Sequence, residues 1–144
     1  MEESRKSSRV AVIGGVNIDI GGEPEHPLIP RDSNPGKIRI STGGVGFNIA
    51  CNLAQLGLNV SFLTAFAEDQ NGIIVSKACA QAGIDISMSM RVPEASTSVY
   101  LFIADEQGDM QLAISDMEIC SHMTPSWLSK HLEEIHEAAA VVVD

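Results

Sequence analysis

The sequence predicts an α/β fold in which a parallel β-sheet is flanked by helices and carries a small second β-sheet. Three observations support this fold class. Short apolar runs alternate with segments of helical periodicity, in the order strand, helix, strand, helix that a parallel sheet with crossover connections requires. Two later apolar runs flank a Gly-containing turn, which is typical of a hairpin. The length of 144 residues suits one domain with a sizeable core.

The amino-terminal part predicts two strands separated by a segment that is not helical. Residues 1–8 are polar and are expected to form a disordered tail, so that the domain spans residues 9–144. The apolar stretch Arg9–Ile13 stops at Gly14 and predicts a strand that is buried on both faces. Residues 21–36 are rich in Gly and Pro, which excludes a helix there. Residues 37–41 alternate polar and apolar side chains, the pattern of a half-exposed strand.

Two amphipathic helices follow, each with a glycine at its end. In the first, apolar residues recur at helical spacing from Ile49 onward, and Gly57 suits the left-handed conformation that ends a helix. Residues 59–65 form an apolar run that predicts the next strand. Residues 72–82 predict a second helix, with Gly83 in the same terminating position.

The carboxyl-terminal half predicts a hairpin, a helix and a strand. Strands at residues 98–103 and 110–114 flank a polar turn. Thr124 is a suitable N-cap before Pro125, and apolar spacing continues that helix to residue 138. Residues 140–144 read Ala-Val-Val-Val-Asp, which again predicts a buried strand.

This last strand needs neighbours that cover it. Leaving its valines uncovered would forgo about 1.5–3 kcal/mol per side chain and expose a sheet edge that is prone to association. We therefore expect the chain to be a fragment, or a naturally shortened version, of a longer protein.

Composition excludes several classes of protein. The net charge is −10 with only nine Lys and Arg residues, which argues against a nucleic-acid surface. Apolar runs are far shorter than the roughly 20 residues of a membrane helix. The three cysteines, Cys51, Cys79 and Cys120, fit neither a disulfide framework nor a zinc site. Free thiols indicate a reducing compartment, so a cytoplasmic location is expected.

Asn17 and Asp19 follow the first predicted strand. With period-two geometry both side chains face one way, near the edge at which open α/β sheets bind ligands. A carboxylate can accept hydrogen bonds from two hydroxyls at once, which suits a sugar diol. Alternatively, Asn17 and Asp19 form a turn before the next glycines.

Residues 43–48, Gly-Gly-Val-Gly-Phe-Asn, form the strongest local motif. Glycines permit close approach of the backbone to a ligand, and the helix behind them is expected to offer free amides. The alternative is a plain glycine-rich connection. A dinucleotide fingerprint is weakly supported, because Ile49 stands where its third glycine would be. No P-loop is present, and His131 and His136 lie five residues apart, so no metal site is predicted.

Three motifs together resemble the ribokinase-like (PfkB) family of carbohydrate and nucleoside kinases. They are Gly-Gly-Val-Asn-Ile-Asp at residues 14–19, Gly-Gly-Val-Gly-Phe-Asn-Ile-Ala at residues 43–50, and Ala-Glu-Asp-Gln-Asn-Gly at residues 67–72. The resemblance covers nearly the whole chain but only the amino-terminal half of the family's usual length. Residues 97–101 and 108–110, with Asp116-Met117, are most similar to pseudouridine kinases.

The resemblance implies a three-layer domain with a β-sheet lid, here at about residues 21–41 and 98–114, that closes over a sugar or nucleoside. It implies that Asn17, Asp19, Gly43, Gly44 and Asn48 bind the substrate's hydroxyls. Family members use ATP and Mg²⁺ to phosphorylate a ribose-type hydroxyl, and their lids often mediate dimers. A homodimer through the lid is therefore a further expectation.

Two departures limit what the resemblance implies. Phe47 stands where pseudouridine kinases typically have Arg, and Phe66-Ala67 replaces a pair that usually ends in Gly. The family's catalytic Asp lies in a late Gly-Ala-Gly-Asp motif, but Gly108 is the single glycine after Gly83. We therefore expect no catalytic residue in this chain, no strong binding of ATP or Mg²⁺, and no activity of the chain alone. The alternative is a non-catalytic binding or dimerising fragment of the same fold.

Overall fold

The computed structural model describes residues 9–144, so the predicted tail at residues 1–8 lies outside the described part. Within it the elements are, in chain order, β1 (Arg9–Ile13), β2 (Asn17–Pro24), β3 (Gly36–Gly43), α1 (Val45–Gln55), β4 (Asn59–Leu63), β5 (Ala65–Ala67), α2 (Gln70–Gln81), β6 (Met90–Val92), β7 (Val99–Ala104), β8 (Met110–Asp116), α3 (Pro125–Leu128), α4 (Leu132–His136) and β9 (Ala140–Val143). Short 3₁₀ helices occupy Glu118–His122 and Ser129–His131.

The strands form three sheets. β4, β1 and β9 make a parallel three-stranded sheet in that order, which confirms the predicted parallel arrangement. β3, β2, β7 and β8 make a four-stranded sheet in which β2 and β7 are parallel and both outer pairs are antiparallel. β5 and β6 form a separate parallel pair. The predicted α/β fold class and the predicted hairpin of β7 and β8 are therefore confirmed.

The main core lies between the three-stranded sheet and helices α1 and α2. Ala50 of α1 and Val75 of α2 pack with Val12 and Phe62 of the sheet, and all four are fully buried. Both helices end as predicted, because Gly57 and Gly83 adopt the positive φ angles of 84° and 70° that side-chain-bearing residues disfavour.

Strand β2 includes part of residues 21–36, the segment for which the sequence excludes a helix. It begins at Asn17 and extends through Pro24, so the first part of the Gly- and Pro-rich segment is a regular strand. The reason is tertiary: β2 is a central strand, paired with β3 on one side and β7 on the other. Pairing on both sides outweighs the weak strand propensity of its glycines.

Strand β3 is more exposed than its alternating pattern predicts. Ile38 is 69% exposed and Ile40 is 63% exposed, although a half-exposed strand would bury one of its two faces. β3 is an edge strand of the four-stranded sheet, and within residues 9–144 no element covers its central part.

The helix predicted from Thr124 to residue 138 is broken. Thr124 Oγ1 accepts a hydrogen bond from the Trp127 amide at 3.2 Å, which confirms the N-cap. The single-helix prediction is wrong beyond Leu128, where Ser129–His131 forms a 3₁₀ turn between α3 and α4. Ser129 Oγ donates to the Pro125 carbonyl at 2.8 Å, a back-bond that bends helices.

Candidate binding pocket

Asn17 and Asp19 lie at the start of β2, where the chain passes from the three-stranded sheet into the four-stranded sheet. Asn17 Nδ2 donates a hydrogen bond to Asp19 Oδ1 at 2.6 Å, so the two side chains share one face of the strand. Asn17 is buried and Asp19 is half-buried. The amide therefore holds one carboxylate oxygen of Asp19 in a defined position.

Gly43 and Gly44 provide the space for this pair. A Cβ atom at Gly43 would overlap the Asp19 carboxylate, and one at Gly44 would lie 2.9 Å from Asn17 Oδ1. Gly44 also has a φ angle of 99°, which L-residues rarely adopt. The two glycines are thus needed because the polar side chains of β2 pack directly against the end of β3.

The amino terminus of α1 packs against the β1–β2 connection. A Cβ atom at Gly46 would lie 2.9 Å from Gly14 Cα, which explains the glycine there. The Phe47 amide donates to the Gly15 carbonyl at 3.2 Å, and the Gly46 amide donates to Asp144 Oδ2 at 3.1 Å. The expectation that this helix end offers free amides is therefore wrong for Gly46 and Phe47, because the folded chain already supplies their acceptors.

These residues border an open pocket of about 590 Å³ between the two sheets. Four of the five predicted binding residues line it, namely Asn17, Asp19, Gly44 and Asn48, whereas Gly43 lies behind Asp19. The other lining residues are Gly15, Val45, Tyr100, Phe102, Met117, Cys120, Met123 and Asp144.

The pocket has two chemically different walls. Asn17, Asp19 and Asn48 form a polar wall, whereas a second group of lining side chains, here called the apolar wall, is aromatic or sulfur-containing and begins at Tyr100, the neighbour of Asp19 on β7. The rings of Tyr100 and Phe102 on β7 have centroids 6.1 Å apart. The apolar wall consists of Tyr100, Phe102, Met117, Cys120 and Met123.

Sequence reasoning did not identify the apolar wall or Asp144 as parts of the site. The alternation of β7 places Tyr100 and Phe102 on one face, which was a usable signal. Met117 and Met123 flank the 3₁₀ turn that contains Cys120, and only the tertiary structure brings these three residues to the pocket.

Phe47 does not line the pocket. Its side chain is buried and packs in the main core, on the side of α1 that faces the sheet. The Phe at this position therefore contributes to core packing.

Other candidate groups lie apart from a binding site. Asp105, Glu106 and Asp109 are at the tip of the β7–β8 hairpin, where Asp105 accepts hydrogen bonds from the turn. Residues 9–144 contain no cluster of three or more His, Cys, Asp and Glu side chains that could hold a metal ion. No helix in the described range is long and apolar enough to cross a membrane.

The cysteines are all unpaired in the structure. Burial raises the pKa of the Cys79 thiol to about 12, with a smaller contribution from nearby Cys51. Burial also raises the pKa of Cys51. Both thiols are therefore protonated at neutral pH and behave as small apolar groups.

Comparisons with known proteins agree with this architecture. The pfkB family of carbohydrate kinases matches residues 7–144. The chain is 40% identical to the pseudouridine kinase of Escherichia coli (strain K12) over 140 residues, which are 97% of this chain and 45% of that protein. A carbohydrate kinase from Agrobacterium tumefaciens superposes with a TM-score of 0.86 at 31% identity, covering 95% of this chain and 45% of that one.

A ribokinase from Giardia lamblia is 20% identical and has a TM-score of 0.80 over 94% of this chain and 44% of its own, which supports the ribokinase-like fold. The chain thus spans less than half the length of these relatives. It belongs to the pfkB family of carbohydrate kinases.

Proposed function

We propose that this chain is the substrate-binding half of an ATP-dependent nucleoside kinase, with pseudouridine as the preferred substrate. The observation that carries the proposal is the Asn17–Asp19 pair, which faces the pocket and is held in place by Gly43 and Gly44. In the complete enzyme the γ-phosphate of ATP would pass to a ribose-type hydroxyl, with Mg²⁺ neutralising the charge that develops.

The polar wall suits the ribose. An ionised carboxylate accepts several hydrogen bonds, so Asp19 can hold two neighbouring hydroxyls while Asn17 fixes its orientation. Asn48 adds an amide that can donate and accept from the first turns of α1. Such contacts orient the sugar, which is the main protein contribution to phosphoryl transfer.

The apolar wall suits a base attached to the ribose. Aromatic faces and thioethers provide stacking and dispersion contacts for a planar heterocycle, as Tyr100, Phe102 and the two methionines would here. A free pentose has no group that would use this wall. The likeness to the E. coli pseudouridine kinase favours pseudouridine among the possible nucleosides.

Closure over the substrate is the proposed role of the four-stranded sheet, which includes the predicted lid segments 21–41 and 98–114. Its β2 and β7 strands supply Asp19, Tyr100 and Phe102 to the pocket. A lid that carries binding residues would exclude water only when the sugar is bound. We propose that the chain alone binds substrate without transferring phosphate, since the family's catalytic motif is absent from its sequence.

The test is thermal unfolding of the purified chain with and without pseudouridine, ribose and ATP. A ligand at 100 times its Kd should stabilise the chain by about 2.7 kcal/mol. We expect stabilisation by pseudouridine, less by ribose and none by ATP. Asp19→Ala should abolish the effect, whereas Asp109→Ala at the hairpin tip should not. Kinase turnover by the chain alone, or stabilisation by ATP only, would contradict the proposal.

A second candidate function is self-association through the four-stranded sheet. The face opposite the pocket, here called the outer face, consists of Ile38, Ile40, Leu101, Ile103, Leu112 and Ile114, all of them exposed. Their register forms two rows across the sheet, with Ile40 beside Ile20, Leu101 and Ile114, and Ile38 beside Gly22, Ile103 and Leu112. An exposed apolar sheet face can pack on a second copy of itself about a two-fold axis. This favours a homodimer, with or without an intact catalytic half.

A further inference from the structure

Thr97 and Ser98 lie at the junction where the chain enters the four-stranded sheet for the second time, directly before β7. Both residues are buried, each with only 1% of its surface exposed. Strand β7 then carries Tyr100 and Phe102 to the pocket. The position of this junction therefore sets where the aromatic part of the apolar wall lies.

Thr97 is attached to β5 and α2 by hydrogen bonds. Its amide and its hydroxyl donate to the two carboxylate oxygens of Asp69, at 2.9 and 2.7 Å. Its hydroxyl also accepts from the Ala67 amide at the end of β5, at 2.9 Å. Asp69 is in turn the N-cap of α2, where Oδ1 accepts from the Gly72 amide at 2.7 Å. These contacts, here called the Asp69–Thr97 anchor, fix the start of β7 relative to β5 and α2.

Ser98 connects this anchor to the polar wall. Its carbonyl accepts from the Ile18 amide of β2 at 2.9 Å. Ile18 directly precedes Asp19, and Asp19 is paired with Tyr100 of β7. A displacement of Thr97 would therefore displace residues of both walls of the pocket.

Capping α2 does not by itself explain the whole Asp69 carboxylate. One side-chain oxygen is sufficient for an N-cap, as in Ser, Thr or Asn, and Oδ1 already accepts from Gly72. Oδ2 accepts from the amide of Thr97, which is 28 positions further along the chain. The second oxygen thus serves a contact between distant segments.

We infer that Asp69 and Thr97 are positioning residues for the pocket, which act through Ser98 to hold β2 and β7 in the arrangement that binds substrate. This inference rests on the proposed function of the pocket, although neither residue lines it. Hydrogen bonds to an ionised carboxylate are stronger than those between neutral groups, and a fully satisfied buried network favours a single arrangement. Such positioning matters because a displacement of about 1 Å, caused far from the reacting atoms, can lower a rate about 100-fold.

The experiment measures pseudouridine binding to the purified chain and its Thr97 variants by isothermal titration calorimetry. Thr97→Val keeps the shape of the side chain but removes the hydroxyl that joins Asp69 to Ala67. It should weaken binding about tenfold, because a buried hydrogen bond to a charged group is lost. Thr97→Ser keeps the hydroxyl and should bind within about threefold of wild type.

Ser89→Ala is the matched control. The Ser89 hydroxyl donates to the Phe62 carbonyl at 2.6 Å and accepts from the Thr64 amide at 3.2 Å, so it also joins two segments by donating and accepting. None of these three residues lines the pocket. Ser89→Ala should lower the unfolding temperature about as much as Thr97→Val but leave the affinity unchanged. Equal losses of affinity in the two variants would indicate general destabilisation and would overturn the inference.

Asp69→Asn separates the anchor from the helix cap. Asn is about as good an N-cap as Asp, because its side-chain oxygen can accept from Gly72. Its amide nitrogen would then face the Thr97 amide, so that two donors meet without an acceptor. Asp69→Asn should therefore weaken pseudouridine binding about tenfold and keep the helical signal in circular dichroism. An unchanged affinity would limit Asp69 to capping and overturn its positioning role.

Hydrogen exchange followed by mass spectrometry tests the anchor without a ligand. Peptides that cover β2 and β7 should exchange faster in Thr97→Val than in Ser89→Ala, because the contact that fixes these strands is weakened. If wild type does not bind pseudouridine, the proposed function is contradicted, and exchange still decides whether the anchor holds β2 and β7. If wild type binds pseudouridine but Thr97→Val changes neither its affinity nor the exchange, only this inference is overturned.

Discussion

Strand β4 of the three-stranded sheet buries its side chains from Val60 to Leu63, whereas every residue of strand β8 in the four-stranded sheet is exposed. Both strands are short and carry several large apolar residues. β4 is covered by α1, and Asp85 pairs beside it, but β8 is an edge strand with no layer over its outer face in the described range. An apolar pattern therefore predicts a strand, and the covering layer decides whether that strand is buried.

The largest expected effect on the free energy of unfolding comes from truncating a buried side chain of β4. Phe62 is fully buried in the main core, so Phe62→Ala should lower the free energy of unfolding by about 3–5 kcal/mol. Leu112→Ala on β8, a residue 70% exposed, should change it by less than about 0.5 kcal/mol. Urea denaturation of both variants measures the difference. Equal losses would contradict the view that β4 lies in a packed core and β8 does not.

A smaller effect is expected where α1 meets the β1–β2 connection. Gly46→Ala would place a Cβ atom within 3.0 Å of the Gly14 and Gly15 backbone, and should destabilise the chain by about 1–3 kcal/mol. In an uncrowded helix the same change would be stabilising by about 0.5–1 kcal/mol.

Gly57→Ala is the control for this variant, because a Cβ atom there meets nothing within 4 Å and the cost is confined to its φ of 84°. Thermal unfolding should rank Gly46→Ala as the more destabilising change. Gly46→Ala should also weaken pseudouridine binding, because Asn48 and Gly44 move with α1. If Gly46→Ala lowers stability but leaves pseudouridine binding unchanged, the contact between α1 and the β1–β2 connection does not position the pocket residues.

Asp69 links the start of α2 to the segment before β7 and should show a pH-dependent effect. Its carboxylate accepts from the Gly72 amide at 2.7 Å at the start of α2, and from the Thr97 amide and hydroxyl at 2.9 and 2.7 Å just before β7. Burial opposes the charge, but these hydrogen bonds outweigh it and lower the pKa of Asp69. Asp69→Ala should cost about 1 kcal/mol at pH 7.

The sign of the pH dependence follows from the lowered pKa. The stabilisation is fully present above the unfolded-state pKa of about 3.9 and is lost as the pH falls through the lower folded-state pKa. The difference between wild type and Asp69→Ala should therefore be constant from pH 7 to about pH 5 and shrink below about pH 4. Urea denaturation at pH 7 and pH 3 tests this, and a difference that grows in acid would contradict it.

The smallest effect on folding is expected on the outer face. Ile114→Asp replaces a residue that is 69% exposed, so the unfolding temperature of the monomer should change little. If the outer face pairs two copies, the same variant should lower the dimer fraction measured by analytical ultracentrifugation. Ser115→Asp, on the opposite face of the same strand, adds the same charge and should leave association unchanged. A wild-type chain that is monomeric at high concentration would contradict the proposed homodimer.

Local signals in the sequence were sufficient for much of the fold and for part of the pocket. The helices, the hairpin and the first strand depend on periodicity and on residues such as Gly57, Gly83 and Thr124, whose conformations are set by their own backbone. The Asn17–Asp19 pair was predictable because period two in a strand places both side chains on one face. The resemblance to the pfkB family implies a sugar-binding role for the residues of these motifs, and that role is a proposal.

Other features depended on contacts between distant segments, which no local pattern encodes. Asp144 binds the amide of Gly46, 98 positions earlier, because β9 pairs beside β1. The exposure of β8 and the regular strand at Gly21 and Gly22 depend on which strands become neighbours in the four-stranded sheet. The sequence by itself thus determined the first two helices, the hairpin, the helix caps and the polar pair of β2. Only the tertiary structure decided which side chains share the pocket and which strands lack a cover, because burial and charge proximity are properties of packed neighbours.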